Sequence, residues 1–318
     1  MPLLLHIYFE MRTICLSLFA AISLLLFNAC KEEVRDVSLA DEAYEAWLND
    51  SAQIKIAVMP TLDCLPIYVA AERGMFEKNG ASVSLYPFSA QMDCDTAFLR
   101  GWVDAMATDL VRAERLKTEG VPLFYLTATD LHWQLVASKM ARVKRLDQIE
   151  NKMVAMTRFS ATAMLADNLV DTVNVQKDHV FRVQVNDLGV RFSMLQNQVM
   201  DLLLLPEPWA SASLELKANI LYDTRQNGIS MGVIAMNDTA IADATLRQSQ
   251  VEAFLKAYDE ACDSINEYGL VGYREMIKNR CGVKSSVVDS ISADYKFTPS
   301  HQPLQKDVER ATNWLKRQ

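Results

Sequence analysis

The chain of 318 residues has few of the residues that interrupt regular structure, with only 10 glycines and 9 prolines. Its hydrophobic fraction is 50%, which is too high for an intrinsically disordered protein. Lysine and arginine form no cluster and the formal net charge is -8, so nucleic-acid binding is not expected. Only one apolar run approaches the length of a membrane-spanning helix, and it lies near the N-terminus. The sequence therefore predicts a globular protein and excludes a polytopic membrane protein.

Recognised catalytic motifs are also missing from the sequence. It has no G-x-S-x-G, Walker A, H-E-x-x-H or Cys-x-x-Cys pattern. The 4 histidines have no metal-ligand spacing. We therefore expect no enzyme activity, no cofactor and no metal site. The alternative is a single-turnover enzyme or synthase built on the same scaffold.

The N-terminal apolar run has the features of an export signal. Arg12 precedes an apolar stretch from Ile14 to Phe27, and Ala29 then precedes Cys30. A complete signal begins at Met11, where we expect translation to start. The alternative is an uncleaved anchor helix.

A small residue followed by cysteine resembles the lipobox of bacterial lipoproteins, in which the cysteine is acylated and begins the mature protein. This resemblance implies removal of residues 1–29 and a lipid bilayer as the partner of Cys30. The protein would then be an exported lipoprotein on the periplasmic face of a membrane. The charged run Lys31-Glu32-Glu33 resembles a surface-export signal, which leaves the cell surface as a second location.

The rest of the chain alternates short buried strands with helices. Residues 30–52 are charged and predict a tether, and the folded part begins at residue 53. Apolar runs alternate with helical segments, which predicts an α/β protein with largely parallel sheets. The segments 98–110 and 194–208 share one pattern, so we predict two similar lobes, followed by a helical C-terminal segment. Lobe I takes residues 53–131 and 229–318, and lobe II takes residues 132–228.

Residues 54–90 resemble the start of periplasmic substrate-binding proteins of the nitrate, sulfonate and thiamine-pyrimidine branch. The matching features are a first strand, a P-x-Y-V-A-x-E-x-G helix and Gly80. G-x-V-D-A at 101–105 and the run from Leu203 to Ala210 extend the match to about residue 235. The resemblance implies a two-lobed type II periplasmic-binding fold, a small-molecule ligand, and ABC permease and ATPase subunits as partners. The family's Gly- or Ser-rich stretch is replaced here by residues 89–95, so the ligand type does not carry over.

The loops that follow the predicted strands supply the candidate ligand-binding residues, because ligands bind beyond the carboxyl ends of strands in open α/β sheets. These candidates are Thr61, Asp63, Ser89, Gln91, Asp93, Asp109, Asp130, Trp133, Arg158, Phe159, Ser160, Glu207 and Trp209. Together with Asp95, the loops hold six acidic residues against one arginine. Such a site repels anions, and its aromatic rings favour a neutral or cationic molecule. A thiamine-pyrimidine-like heterocycle is the ligand that we expect.

Several of these residues have an alternative structural role. Asp63 and Asp109 each stand where a helix is predicted to begin, so either residue is equally a helix cap. Asp93 or Asp95 is expected to open the next short helix. Asp130 has no such role and is therefore a better ligand candidate, whereas Trp209 could be ordinary core packing.

Four further cysteines lie in the predicted folded part. An even number in an exported protein is compatible with two disulfides. We expect Cys262 to pair with Cys281, because a helical hairpin would bring them together. Cys64 and Cys94 follow neighbouring strands and could also pair, and the alternative is two free, buried thiols.

The leading hypothesis is therefore a lipid-anchored receptor that delivers a small solute to an ABC importer. A third hypothesis is a surface lipoprotein that senses its ligand without a transporter.

Overall fold

Two five-stranded sheets with flanking helices form the protein. A computed structural model describes residues 53–173 and 175–318. The predicted export signal, Cys30 and the tether lie outside these residues. No helix within the described ranges is both long and apolar enough to span a bilayer.

The first sheet has the order β2-β1-β3-β10-β4, with strands numbered along the chain. Its strands are β1 (Ile54–Val58), β2 (Val83–Pro87), β3 (Ala105–Asp109), β4 (Leu123–Thr129) and β10 (Gly232–Asn237). The second sheet has the order β7-β6-β8-β5-β9. Its strands are β5 (Trp133–Ala137), β6 (Lys152–Met156), β7 (Val180–Gln184), β8 (Leu202–Pro206) and β9 (Asn219–Asp223). The two orders are equivalent, as expected for two similar lobes.

In each sheet four of the five strands run in one direction and the fifth runs antiparallel to its neighbours, so the sheets are mostly parallel, as predicted. β10 runs antiparallel to β3 and β4, and β5 runs antiparallel to β8 and β9. Both β5 and β10 are the first strands after the chain passes from one sheet to the other. Each therefore enters its new sheet against the direction of the neighbouring strands. The α/β class and the two-sheet architecture are confirmed.

Ten α-helices pack on these sheets in the described part of the chain. They are α1 (Leu65–Glu72), α2 (Met75–Asn79), α3 (Gln91–Leu99), α4 (Leu110–Thr118), α5 (Ala161–Thr172), α6 (Leu188–Gln196), α7 (Trp209–Leu214), α8 (Ala244–Tyr268), α9 (Arg274–Cys281) and α10 (Gln305–Leu315). Short 3-10 turns occupy Leu62–Cys64, Leu146–Gln148, Lys177–His179, Leu270–Tyr273 and Ser285–Ser290. Helix α8 buries one apolar stripe against α1 and α2, and α10 lies across α4.

The predicted helix caps divide into two groups. The Asp109 carboxylate accepts a hydrogen bond from Arg112 N at 3.1 Å, so it caps α4 as one of its two predicted roles requires. Asp63 makes no cap hydrogen bond, because it lies within the 3-10 turn that precedes α1. Asp93 and Asp95 do not open α3, because that helix begins at Gln91 with Ala90 as its N-cap.

The four cysteines in the described residues are free and buried, so the predicted Cys262–Cys281 disulfide is wrong, and Cys64 and Cys94 follow the alternative of two free thiols. Met59 contacts two of the thiols: its N–H donates to Cys64 Sγ at 3.5 Å, and its sulfur lies 3.5 Å from Cys94 Sγ. Cys262 Sγ lies 3.6 Å from the Thr298 carbonyl oxygen rather than against Cys281. Each of these sulfurs is therefore packed against a neighbour other than its predicted partner.

Alkylation tests the state of these thiols. We expect iodoacetamide to label all four cysteines after denaturation without reductant. In the native protein the same peptides should stay unlabelled, because burial raises the pKa of each thiol and shields its sulfur. Peptide mass mapping measures both states. A crosslinked peptide that joins residues 262 and 281 would contradict the free-thiol assignment.

Candidate functional site

The two lobes meet at the ends of their strands through hydrogen bonds that mostly involve main-chain groups. Leu62 N donates to Glu207 O at 2.8 Å, and Leu188 N donates to Ser89 O at 3.2 Å. Two further hydrogen bonds between the lobes each join a side chain to the main chain. Ala161 N donates to Asp109 Oδ1 at 2.9 Å, and Trp209 Nε1 donates to Pro60 O at 2.8 Å. We call this set of four hydrogen bonds the seam.

A small cavity lies between the lobes, next to the seam. Its volume is about 10 Å³, which is close to the space that one water molecule needs. Residues from both lobes line it, namely Met59, Thr61, Asp63, Gln91, Ala107, Thr108, Leu131, Trp133 and Leu188. Four of the predicted ligand-binding residues are in this set: Thr61, Asp63, Gln91 and Trp133.

Asp63 is the acidic residue of the cavity. Thr129 Oγ1 donates to Asp63 Oδ2 at 3.0 Å, whereas Oδ1 has no hydrogen-bond partner among the described residues. Burial raises the pKa of Asp63, although hydrogen bonds from Thr61 and Thr129 oppose the shift. A buried carboxylate oxygen without a donor costs free energy, and a ligand that brings a donor or a positive charge would recover it.

Two neutral polar groups of the cavity are also unsatisfied. Thr108 Oγ1 and Trp133 Nε1 are both buried and have no partner within the described part of the chain. Thr108 belongs to β3 of the first lobe, and Trp133 begins β5 of the second. With Asp63, they give the cavity one charged acceptor, one hydroxyl and one N–H donor. Because native structures satisfy most of their buried polar groups, this arrangement suits a polar ligand.

Two other predicted residues, Asp109 and Trp209, belong to the seam through their side chains, and a third, Ser160, directly precedes Ala161 of the seam. Asp109 caps α4 and also accepts from Ala161 N across the lobes, while its Oδ2 has no partner among the described residues. Burial raises the pKa of Asp109 to about 6, although Arg112 opposes the shift. Ser160 caps α5 through Thr162 N, and Trp209 contacts Pro60 across the lobes.

The remaining predicted residues do not reach the cavity. Ser89, Asp93, Arg158 and Phe159 are exposed, and Phe159 packs beside Arg115 on the outer surface.

Asp130, the better ligand candidate by sequence, holds the C-terminal segment instead. Its carboxylate accepts from Thr298 N at 2.7 Å and from Thr298 Oγ1 at 3.0 Å. Glu207 accepts from Gln134 Nε2 and from Ser211, away from the cavity. Both carboxylates are therefore committed to protein donors.

Five lining residues were not among the candidates from the sequence, namely Met59, Ala107, Thr108, Leu131 and Leu188. Thr108 could have been predicted as a site residue, because it directly precedes Asp109 at the end of a predicted strand. Nothing in the sequence marked the four apolar residues as site residues, since an apolar side chain at a strand end is as common in a core as in a ligand site.

Positive charge does not reach the cavity, since no lysine, arginine or histidine is among the described residues that line it. Two arginines are buried nearby. Arg112 pairs with Asp95, and Arg191 donates to the carbonyl oxygens of Val185 and Leu204 inside the second lobe. Their donors are therefore committed to protein groups. Within residues 53–173 and 175–318, no group of three or more His, Cys, Asp or Glu side chains is placed to hold a metal ion.

Solved structures with a similar fold include solute-binding proteins. The periplasmic aliphatic sulphonate-binding protein of Escherichia coli matches with a TM-score of 0.68 and 14% identity, over 83% of this chain and 92% of its own. The alkanesulfonate-binding protein of Xanthomonas axonopodis pv. citri, bound to MOPS, matches at 0.67 and 17%, over 83% and 91%. The periplasmic nitrate-binding protein of Synechocystis matches at 0.63 and 14%, over 79% and 74%. The chain therefore has the periplasmic-binding-protein fold, as predicted.

The family follows from the sequence match. The profile of the NMT1/THI5-like family covers residues 61–268, which is more than half of the chain. This protein belongs to the NMT1/THI5-like family. No curated protein matches it.

The raised pKa of Asp109 predicts a pH-dependent stability. Between the ordinary value of 3.8 and about 6, the folded protein binds more protons than the unfolded chain, so stability falls as pH rises. Asp109→Asn removes this loss and keeps the Oδ1 acceptor. We expect the variant to gain about 3 kcal/mol relative to wild type between pH 3.5 and pH 7, with no further gain above it.

Urea unfolding at a series of pH values measures the Asp109 effect. The acidic end is the internal reference, because the carboxyl group is protonated there in both the folded and the unfolded state. A difference between variant and wild type that does not change with pH would contradict the assignment.

Proposed function

We propose that this protein is the lipid-anchored solute-binding receptor of an ABC importer, and that its ligand is a small polar molecule, neutral or cationic. The fold supports the receptor class, because its solved neighbours include a ligand-binding component of an ABC-type import system and two sulfonate-binding proteins. The latter two are named for sulfonates, but their ligands do not transfer at such low identity. The ligand class is inferred from the cavity of this chain alone.

The observation that carries the proposal is the set of unsatisfied polar atoms between the lobes. Asp63 Oδ1, Thr108 Oγ1 and Trp133 Nε1 belong to side chains that line one cavity and come from both lobes. Because the cavity has space for only about one water, a larger ligand enters when the seam opens and the lobes part.

The charge of the cavity selects against anions. A sulfonate or nitrate beside Asp63 would meet a buried like charge with no cationic side chain among the lining residues, which costs on the order of a few kcal/mol. A protonated amine or amidine in the same place would instead form a charge-assisted hydrogen bond with Asp63 Oδ1. Neutral molecules with an N–H donor would satisfy the same oxygen at lower affinity.

An aromatic heterocycle fits the other groups. Trp133 offers a flat indole face and an N–H donor, and Thr108 and Gln91 add short-range polar contacts. A thiamine-pyrimidine-like ring carries an amino group for Asp63 and ring nitrogens that accept hydrogen bonds. We keep this class as the proposed ligand and include no catalytic step.

The charge argument predicts a pH-dependent affinity. We expect Asp63→Asn to weaken binding of a cationic ligand at least tenfold, because it removes one charge-assisted hydrogen bond, and to weaken a neutral ligand less. Burial raises the pKa of Asp63, so wild-type affinity for a cation should fall on acidification towards that raised pKa. The affinity of Asp63→Asn should not follow this trend. Isothermal titration calorimetry, after a thermal-shift screen of aminopyrimidines, amines and sulfonates, measures these effects.

Asp93→Asn is the matched control for Asp63→Asn. Asp93 is exposed on α3, and its loss should leave affinity unchanged. Tight binding of methanesulfonate by the wild-type protein would refute the proposed ligand class without refuting the receptor.

Acylation of Cys30 predicts membrane attachment. We expect Cys30→Ser to move the protein from the membrane fraction to the aqueous fraction, because the diacylated cysteine is its proposed anchor. Detergent-free fractionation followed by immunoblotting measures the change. Cys15→Ser, within the apolar stretch of the signal, is the control and should stay in the membrane fraction. A Cys30→Ser protein that resists washing would show a different anchor.

A further inference from the structure

A second cavity lies where the chain crosses between the two sheets. Its volume is about 190 Å³, and it shares no lining residue with the cavity between the lobes. His132 lies at the first crossing and Arg225 at the second, while Ser292 comes from the C-terminal segment. We call this cavity the hinge pocket. Trp133 and Gln134 are consecutive on β5, so their side chains point to opposite faces, and each lines a different cavity.

Two polar atoms of residues that line the hinge pocket lack a partner. Gln134 is 5% exposed, and its Nε2 donates to Glu207 Oε1 at 3.1 Å. This hydrogen bond fixes the orientation of the amide, because the carboxylate can only accept from the NH₂ group. Gln134 Oε1 is then left without a donor among the described residues, and so is His132 Nδ1. The amide oxygen of Gln134 therefore calls for a ligand or a water that donates to it.

The charges of the hinge pocket favour a cation. Glu207 and Asp223 both line it, and both side chains are buried. The one arginine that lines it, Arg225, packs its guanidinium 5.7 Å from the centre of the Tyr295 ring. The lining residues thus include two carboxylates and one guanidinium, an excess of one negative charge.

We propose that the hinge pocket is a second binding site, which takes a small organic cation of the ammonium or guanidinium class. Such a cation brings several N–H donors for Gln134 Oε1 and the Asp223 carboxylate. Its charge offsets the excess negative charge, and anions are repelled. A ligand there contacts both crossing segments and the C-terminal segment, so its binding stabilises the folded protein.

Methylguanidinium and N-methylurea form a matched pair of probes, because they have nearly the same shape but only the first is charged. The experiment uses the full chain carrying Asp63→Asn, which removes the charge of the other cavity. We expect saturable methylguanidinium binding by calorimetry and by thermal shift, at least tenfold tighter than N-methylurea. Methanesulfonate should not bind.

Asp223→Asn, added to this background, tests the location. We expect it to weaken methylguanidinium binding about tenfold or more, while Asp93→Asn in the same background leaves it unchanged. NMR titration gives a second test in case Asp223→Asn fails to fold. The side-chain amide resonances of Gln134 are assigned by their absence in Gln134→Leu. We expect them to shift when methylguanidinium is added to the Asp63→Asn protein. Binding of both probes with equal affinity, no saturable binding, or no shift of the Gln134 resonances would overturn the proposal. Absence of saturable binding would indicate a pocket for water only.

Discussion

Main-chain hydrogen bonds at the strand ends bring the two lobes together, and the cavity between them depends on these bonds. The amide of Leu62 and the carbonyl of Glu207 would be buried without partners if the lobes met in any other register. When the lobes part, water satisfies both groups, so each bond adds only about 1 kcal/mol to closure. A few such bonds define how the closed lobes are placed against each other, but they stabilise closure too weakly to prevent the lobes from opening. This balance is what a receptor that must capture and release its ligand requires.

Burial of two carboxylates in the cleft costs free energy, and the fold alone does not require both of them. Asp63 and Asp109 are both buried at the lobe interface, and burial raises the pKa of each. The nearest buried arginines donate to other protein groups, so neither carboxylate is fully neutralised. Asp109 has a structural reason for its position, because it links α4 to the second lobe. Asp63 caps no helix, and its unsatisfied oxygen is better explained by a ligand than by stability.

The sequence was sufficient for the architecture because buried strands and helix ends follow local rules. It did not predict β9 and β10, whose apolar runs lie next to crossings between the sheets, where alternation of strands and helices is interrupted. At the site, the structure places four of the sequence candidates at the cavity, namely Thr61, Asp63, Gln91 and Trp133. Asp93 was assigned to the same loop, but α3 begins two residues earlier, and two residues turn a side chain by about 200° around a helix.

The other differences between the predicted and the observed site, at Asp130 and Glu207, have a different physical origin. The same origin limits what the structural neighbours imply about the ligand. Asp130 and Glu207 stand in the right loops, but donors distant in sequence occupy them, and sequence spacing does not reveal such partners. The charge of the ligand is likewise not predictable from the fold, because a fold determines where a cleft lies and not which side chains line it. In this chain the cleft holds one unsatisfied carboxylate and neutral donors. We therefore propose that the cleft of this chain takes a neutral molecule or a cation, although its solved neighbours include sulfonate- and nitrate-binding proteins, because the charge of Asp63 would repel an anion.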